Sequence, residues 1–297
     1  MNISLKQLHV FSAVAQYRTL TEASEKLFLS KAAVSLSLSE LEKHIGHTLF
    51  DRVNNRLRLN HQGKELLPLA DELLERATQI DGIFNNEKSL VGTLRIGASD
   101  TLGNQVVPKL LSLFRTKHDH NSQSLFISNS MLICQKLVDF DLDIALIEGK
   151  AQHPQLLSYE FSGDSMCFVC SANSPLAHSP NLQFVDIEQQ QWILREPGSG
   201  TREFFIQNVA SQLQHWQQVF ELNSTEAIIN AVSAGLGISC LSELAANVAV
   251  ADGRVIKMKI SSNIEMQRQF WLLIHKDKYQ SPLLKCFIDF CNNWKAK

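Results

Sequence analysis

The chain of 297 residues has a net charge of −2, with 44% hydrophobic and 20% charged residues, so it is long enough for two or more folding units. It has no long uninterrupted apolar run, and its first 20 residues are broken by polar and charged side chains. This argues against a membrane span or a signal-peptide core and predicts a cytoplasmic protein. The charge is uneven: residues 1–64 hold nine basic and five acidic residues, whereas residues 65–90 hold two and six. We therefore expect only the first segment to meet a polyanion.

Residues 20–45 have the pattern of two short helices joined by a tight turn. Thr21 is expected to cap the first and Ser30 the second, because hydroxyl oxygens accept hydrogen bonds from the free N–H groups at a helix start. Apolar residues in the second helix share one stripe: Val34, Leu38, Leu41 and Ile45. With a supporting helix from Ser4 to about Tyr17, the pattern predicts a helix-turn-helix.

The opposite face of that second helix carries small and polar side chains. They let a backbone lie deep in a DNA major groove, where serine and lysine reach base edges and alanine or leucine meets a thymine methyl group. The residues of this face are Ala32, Ser35, Leu36, Ser39 and Lys43. A generic helical bundle with a solvated basic loop is the alternative interpretation.

The segment FDRVNNRLRLNHQG (50–63) predicts two short strands around a turn at its adjacent asparagines, which tolerate the positive φ of a tight hairpin. Arg52, Arg56 and Arg58 would project from this small wing. Arginines placed there would contact DNA phosphates and fix the register of the protein without reading sequence.

From about Gln62 to Lys88 the chain reads as one long helix, capped by Asn60. Its apolar residues recur at alternating spacings of four and three: Leu66, Ala70, Leu73, Ala77, Ile80 and Phe84. Such a heptad stripe favours a partner helix and hence a dimer, and packing on its own domain is the alternative. We expect Pro68 to kink the helix or fray its first turn. The segment 89–92 is the expected hinge to the next unit.

Beyond the hinge, strands alternate with helices, which predicts an α/β fold with largely parallel sheets. Two α/β units follow one another, and the last segment, 268–297, is expected to return to the first unit and close a two-lobed clamp.

Hydroxyl and amide side chains recur where strands meet helix starts. The unpaired N–H groups there attract anions. The candidate anion-binding residues are Ser99, Thr101, Asn129, Ser130, Ser199, Thr201, Ser224 and Thr225. The segment PGSGTR (197–202) is the best candidate, since its glycines permit close backbone approach and Arg202 adds a fixed positive charge. Taken singly, each hydroxyl is also explained as a plain helix cap.

The segments quoted above carry a family resemblance. LKQLHVFSAVAQYRTLTEASEKLFLSKAAVSLSLSELEKHIGHTLFDR and LRLNHQG resemble the N-terminal domain of LysR-type transcriptional regulators, and AVSAGLGISCLSE (231–243) is similar to that family's effector domain. Lys31 and Leu36 stand where the family commonly has glutamine and arginine, and these departures leave the DNA-binding role of the helix intact. The resemblance implies that Lys31, Ala32, Ser35, Leu36, Ser39, Arg52 and Arg56 contact promoter DNA.

The resemblance also implies how the chain is organised. It implies a winged helix-turn-helix domain (1–61), a linker helix that forms dimers, often paired into tetramers, with the hinge (62–91), and an effector domain (92–297) similar to periplasmic solute-binding proteins. Lobe I of that domain would comprise 92–163 and 268–297, and lobe II 164–267. The effector would lie between the lobes near Ser99, Asn129 and Ser199. LREPGSGTR (194–202) resembles the version found in relatives that respond to small anions of sulfur or carbon metabolism.

The six cysteines give no sign of a metal or redox site. Cys167 and Cys170 form a CxxC without a second pair, and on a strand they would face opposite sides, so we interpret them as core thiols. No HExxH, GxSxG, GxGxxG or phosphate-loop motif is present, so the sequence predicts neither a metal, nor a cofactor, nor an enzyme.

Two other function classes remain open: a solute-binding protein with an appended interaction helix, and an α/β enzyme that uses the hydroxyl-rich cleft. A solute-binding protein has no use for the wing arginines, and an enzyme would need an acid/base pair clustered beside the hydroxyls. The sequence therefore favours a DNA-binding transcriptional regulator, with no membrane contact, that is controlled by a small anionic effector.

Overall fold

The structure, a computed structural model, describes residues 3–54, 56–84, 90–261 and 264–294. Its N-terminal part consists of three helices and an antiparallel hairpin, as the sequence predicts. These elements are α1 (Leu5–Tyr17), α2 (Leu20–Leu27), α3 (Lys31–Ile45), β1 (Phe50–Val53) and β2 (Arg56–Leu59). The hairpin turns at Asn54, whose φ is +49°; Asn55 lies outside the described residues.

Side-chain caps define where these helices begin. Ser4 and Ser30 cap α1 and α3, and the Ser30 hydroxyl accepts the Ala33 N–H at 3.2 Å. The prediction for α2 is wrong by two residues. Thr19, in extended conformation, accepts the Glu22 N–H at 3.1 Å, whereas Thr21 already lies in the first helical turn. The Thr19 and Thr21 hydroxyls are both suited to cap this helix. Thr19 is the cap because its backbone is extended, as an N-cap requires, whereas the backbone of Thr21 is already helical.

The linker helix α4 (His61–Phe84) is capped by Asn60, whose side-chain oxygen accepts the Gly63 N–H at 2.9 Å, and it continues through Pro68. The expected continuation to Lys88 and the start of the expected hinge lie outside the described residues, as does the side chain of Phe84.

The predicted heptad stripe of α4 divides between two environments. Ala70 is buried in the core of the winged domain, and Leu66 packs against the same core. Leu73 and Ile80 are instead 49% and 57% exposed, together with Leu69 at 59%. Part of the stripe therefore packs on its own domain, pairing of the exposed part with a second helix stays a prediction, and the exposed row runs through Leu69 rather than Ala70.

The C-terminal part has two lobes. The elements of lobe I are β3 (Leu94–Ser99), α5 (Asp100–Gln105), α6 (Val107–His118), β4 (Gln123–Ser128), α7 (Ser130–Val138), β5 (Ile144–Glu148) and α12 (Pro282–Asn292). Those of lobe II are α8 (Phe184–Glu188), β7 (Gln191–Arg195), α9 (Gly200–Phe204), β8 (Gln217–Leu222), α10 (Thr225–Ser233), β9 (Ser239–Ser242), α11 (Glu243–Ala251) and β10 (Val255–Lys257). The strands β6 (Leu156–Ser171) and β11 (Gln267–His275) pair with each other, and β6 runs on into lobe II.

The main sheet has the strand order β10-β6-β11-β5-β3-β4, with β9 also paired to β6. The pairs β3–β4 and β3–β5 are parallel, as is the separate pair β7–β8. The prediction of largely parallel sheets is wrong for the rest, because β6 runs antiparallel to β9, β10 and β11. The long strand β6 connects the lobes and so runs against its neighbours in both. Among the described residues, no helix is long and apolar enough to cross a membrane.

The winged domain packs on lobe I of its own chain. Phe140, with a φ of +59°, is 6% exposed and belongs to the core cluster of the winged domain. Next to it, Asp139 accepts a hydrogen bond from Arg18 at 2.6 Å.

A buried charge network joins α4 to the same lobe. The Lys278 ammonium lies 2.6 Å from Asp71 of α4 and 2.8 Å from Asp143, and the Arg95 guanidinium lies 2.5 Å from Asp143. Burial opposes ionisation of Asp143, but the charges of Lys278 and Arg95 outweigh it, so the pKa of its carboxyl lies below its ordinary value.

Candidate functional site

The helix α3 turns one face to the core and the other to solvent. Val34, Leu38 and Leu41 are buried. The outward face carries the predicted DNA-contacting side chains, of which Lys31, Ala32, Leu36 and Ser39 are exposed and Ser35 is half-buried. A rigid helix with this surface can enter a major groove.

The wing presents its cations beside that helix. Arg52 and Arg56 are exposed, lie at the tip of the β1–β2 hairpin, and form no ion pair with any described residue. Their charges are therefore available to a polyanion. Phe28, which the sequence analysis did not single out, is 95% exposed at the turn between α2 and α3.

The hydroxyls predicted on lobe I meet around one carboxylate. Ser99 and Glu148 end the parallel-aligned strands β3 and β5, so their side chains come together at the same edge of the sheet. Thr101 donates its backbone N–H to Glu148 Oε1 at 3.0 Å, and Glu148 donates its own N–H to the Ser99 hydroxyl at 3.1 Å. Ser130 Oγ lies 3.5 Å from Glu148 Oε2. Three predicted residues are thus near each other, and a carboxylate of the protein fills the helix start.

Across the cleft, an aspartate of lobe I forms an ion pair with an arginine of lobe II and hydrogen bonds with the start of a lobe II helix. Asp100 Oδ2 is 3.0 Å from Arg195 Nη1 and 3.3 Å from the Thr225 backbone nitrogen, and it also accepts the Thr225 hydroxyl. Arg195 is 3% exposed, and it also binds Glu196 at 2.8 Å. The Asp100 carboxylate therefore lies between the start of α10 and the Arg195 guanidinium.

The PGSG turn of lobe II lies directly against lobe I. Gly198 accepts the Met131 N–H at 3.1 Å, and Asn129 donates to Glu196 at 3.1 Å. A side-chain β-carbon at Gly200 would lie 2.6 Å from the Glu148 carbonyl oxygen, so only glycine permits this contact. Burial opposes ionisation of Glu196, but its bonds with Arg195 outweigh burial and the pKa of Glu196 lies below its ordinary value.

The predicted side chains of 197–202 differ in the contacts that they make. Ser199 is buried, and its side chain makes no cap hydrogen bond. Thr201 accepts from Arg268, which is held by Asp164. Arg202 does not supply the free cleft cation expected of it: its guanidinium donates to the Arg195 carbonyl at 2.8 Å and lies 3.7 Å from Glu221. Arg195 and Arg268 are the buried cations at the cleft among the described residues, and Arg195 is the one that contacts Asp100.

A cavity of about 240 Å³ opens beside the Asp100 contact. Asp100, Thr101 and Thr225 line it, with Asn104, Gln105, Ser224 and Glu226 as further polar neighbours. The Thr101 hydroxyl is buried and has no hydrogen-bond partner among the described residues. A buried hydroxyl without a partner costs free energy, so this position favours a ligand oxygen or nitrogen.

The sequence patterns did not reveal the charged residues that dominate this cleft. They are Asp100, Glu148, Asp164, Arg195, Glu196 and Arg268. A usable signal existed for two of them, since Glu148 and Arg195 end the apolar strands DIALIE and QWILR, where side chains of α/β proteins face the ligand crevice.

The CxxC cysteines lie on β6, as predicted, and point into different core clusters on opposite faces of the strand. Burial raises the pKa of Cys167 to about 12 and also raises that of Cys170. Both thiols are therefore protonated at neutral pH and packed in the core.

Comparison with known proteins gives matches over the full chain. A family model described as a bacterial regulatory helix-turn-helix protein of the lysR family matches residues 5–64, and one described as a LysR substrate-binding domain matches residues 87–296. The uncharacterised helix-turn-helix transcriptional regulator YeiE of Escherichia coli is 37% identical over 98% of both chains. A structure of full-length OxyR from Pseudomonas aeruginosa is 21% identical and covers 99% of this chain and 96% of its own, with a TM-score of 0.74. The regulatory domain of Synechocystis CcmR, in complex with 2-PG, is 24% identical and covers 68% of this chain and 96% of its own, with a TM-score of 0.60.

Proposed function

Because the chain belongs to the LysR family of transcriptional regulators, we propose that it binds promoter DNA as a dimer, that dimers pair into tetramers, and that a small anionic effector bound between the lobes changes this binding. As a DNA-binding regulator it acts where promoter DNA lies, in the cytoplasm. The phosphate contacts come from Arg52 and Arg56, and the base contacts come from the outward face of α3, which carries Lys31, Ala32, Ser35, Leu36 and Ser39.

One observation carries the effector proposal: the Asp100 carboxylate forms an ion pair with Arg195 and accepts a hydrogen bond at the start of α10. A guanidinium and a backbone N–H at a helix start are donors that suit any small anion. The Asp100 carboxylate occupies the position that the effector's anionic group would take. The effector body would lie in the adjacent cavity, with its polar atoms at the Thr101 hydroxyl.

The other predicted residues support this position from both lobes. Ser99 and Ser130 form hydrogen bonds with Glu148, Asn129 donates a hydrogen bond to Glu196, and Thr201 accepts one from Arg268. Arg202 acts indirectly, by binding the Arg195 carbonyl. Since the contacts of Asp100 cross the cleft, an effector that replaces them changes the balance between lobe arrangements. The response is graded, set by the effector's differential affinity for the two arrangements.

The effector proposal predicts opposite effects for two substitutions. Asp100→Asn removes the competing carboxylate, so sulfate, phosphate or acetate should bind more tightly than to the wild type. Thr225→Ala removes a donor to the anion and should weaken binding about tenfold. Calorimetry on the full-length protein measures both, with uncharged acetamide as the counterpart of acetate.

The exposed Asp119 of lobe I provides the matched control, because Asp119→Asn makes the same chemical change outside the cleft. It should leave anion affinity unchanged. If Asp100→Asn does not raise the affinity of any anion that the wild type binds, the anionic group does not compete at this position and the proposal is wrong.

The DNA proposal predicts two distinguishable phenotypes. Arg52→Ala should weaken binding to all sequences and lower the salt dependence of log K by about one phosphate contact. Ser35→Ala should instead change which base is preferred at one position of each half-site. Binding titrations over a range of salt concentrations, with a randomised half-site library, measure both effects.

Arg115→Ala is the matched control for the wing, since Arg115 is an exposed arginine of α6 in lobe I. It should leave both affinity and salt slope unchanged. Wild-type behaviour of both Arg52→Ala and Ser35→Ala would remove α3 and the wing from the DNA interface.

A further inference from the structure

A cavity of about 450 Å³ lies between the winged domain and lobe I, and it shares no lining residue with the interlobe cavity. Its winged-domain wall includes Leu57, Leu67 and Pro68, and its lobe I wall includes Phe140 and His275. The volume lies in the range of about 300–1000 Å³ that is usual for small-molecule sites. A molecule held there would contact both domains at once.

A histidine that lines the cavity has a buried donor without an acceptor among the described residues. His275 is 2% exposed, and its Nδ1 accepts the Asp277 N–H at 3.1 Å, which places the ring proton of the neutral imidazole on Nε2. Nε2 is buried and has no hydrogen-bond partner among the described residues. Burial, the largest cause, lowers the pKa of His275, so the neutral ring with its Nε2–H is the form present at neutral pH. The ring is also held in place by Phe140, whose centroid is 4.5 Å away.

The charges of the cavity wall favour an anion. Arg18, Arg58 and Lys64 line it against Asp139 and Asp277, and Arg18 is already paired with Asp139. Arg58 and Lys64 are exposed at the wall and form no ion pair with any described residue. With two further cations against one further carboxylate, a single negative charge on the ligand balances the site.

We infer that this cavity is a second ligand site, separate from the interlobe cleft, and that it takes a small organic monocarboxylate with an apolar body. The carboxylate accepts the His275 Nε2–H and lies near Lys64 and Arg58. The apolar body packs against Leu57, Leu67 and Phe140. Since these residues come from both domains, the bound molecule ties the winged domain to lobe I and fixes the orientation of α3 relative to the effector domain.

The test uses the full-length protein with benzoate and octanoate as probes, and benzamide as the uncharged counterpart of benzoate. We expect saturable binding of at least one carboxylate by calorimetry and weaker binding of benzamide. His275→Phe, which keeps an aromatic ring against Phe140, should weaken carboxylate binding about ten- to a hundredfold, because a hydrogen bond to a charged group is lost. In histidine-labelled protein the Nε2–H resonance that is missing from His275→Phe should shift when the carboxylate binds.

Lys64→Gln provides a second variant that keeps the fold, since Lys64 is exposed. It should weaken the binding of the carboxylates but not the binding of benzamide. Lys285→Gln, which changes an exposed lysine of α12, should leave the affinity unchanged. Absence of saturable binding by both carboxylates, or equal affinity in wild type, His275→Phe and Lys64→Gln, would overturn the inference. Neither result bears on anion binding at Asp100, which the Asp100→Asn experiment tests separately.

Discussion

A Leu73→Glu variant is expected to bind a promoter fragment with two half-sites about a hundredfold or more weakly than the wild type. Leu73 lies in the exposed apolar row of α4, between Leu69 and Ile80. A second copy of this row is the proposed partner, and a carboxylate in the middle of such a contact would be desolvated without a counter-charge. Loss of the dimer removes the effective concentration that joins two half-site contacts, which is worth a factor of about 10² to 10⁴.

Sedimentation should show the Leu73→Glu protein as a monomer at micromolar concentration, and a single half-site should still bind with its own low affinity. Thr78→Glu is the matched control, because Thr78 is exposed on another face of the same helix. It should remain dimeric. A wild-type protein that is monomeric at micromolar concentration, or a dimeric Leu73→Glu variant, would exclude this row as the dimer contact.

Of the substitutions proposed for this protein, Lys278→Met, which removes a buried ammonium, should lower the free energy of unfolding most. In Lys278→Met, Arg95 is the one counter-charge that Asp71 and Asp143 keep among the described residues, at 3.5 Å and 2.5 Å. Breaking a buried ion pair on one side typically costs about 3–5 kcal/mol, because the remaining charge stays desolvated. Urea denaturation followed by circular dichroism measures the free energy of unfolding, and Lys276→Met, at an exposed position two residues away, should change it by less than about 0.5 kcal/mol.

The pH dependence gives a second readout. The pKa of Asp143 is depressed in the folded wild type, so its contribution to stability is complete above the pKa of the unfolded chain and is lost as the pH falls through the folded pKa. In Lys278→Met the same carboxyl has one cation fewer, its pKa rises, and the stability difference from wild type should shrink as the solution is acidified. A difference that stays constant between neutral and acid pH would mean that lost packing, not the unpaired carboxylates, is responsible. Adding Asp71→Asn to Lys278→Met should restore part of the stability at neutral pH.

The winged domain was predictable because local patterns determine it. The caps Ser30 and Asn60 and the turn at Asn54 act within a few residues, so sequence spacing identifies them. The error at Thr21 arose where two hydroxyls competed for one helix start. The stripe of α4 was read as a single surface, although tertiary packing buries Ala70 and leaves Leu73 exposed.

The interlobe cleft was predictable in outline and not in its charges. Spacing alone identifies Thr101 and Thr225 as residues at helix starts. It gives no indication that Asp100 would contact Arg195, because 95 residues of chain separate the two and only the completed fold brings them to 3.0 Å. The antiparallel course of β6 was missed for the same reason, since its partners in lobe II and β11 lie far away in the sequence.

The pairing of β6 with β11 also determines when the protein can fold during synthesis. In the main sheet β11 lies between β6 and β5, and Gln267 pairs with Ser165, so all of lobe II is made between the two partners. The winged domain can form its helices as soon as they leave the ribosome, because most of its contacts are local. In lobe I the edge of β5 stays unpaired until the last strand, β11, and α12 have left the ribosome. An unpaired strand edge is prone to pair wrongly. A nascent chain stalled before residue 267 should therefore bind chaperones that recognise exposed apolar strands, whereas release of the full chain should end that binding.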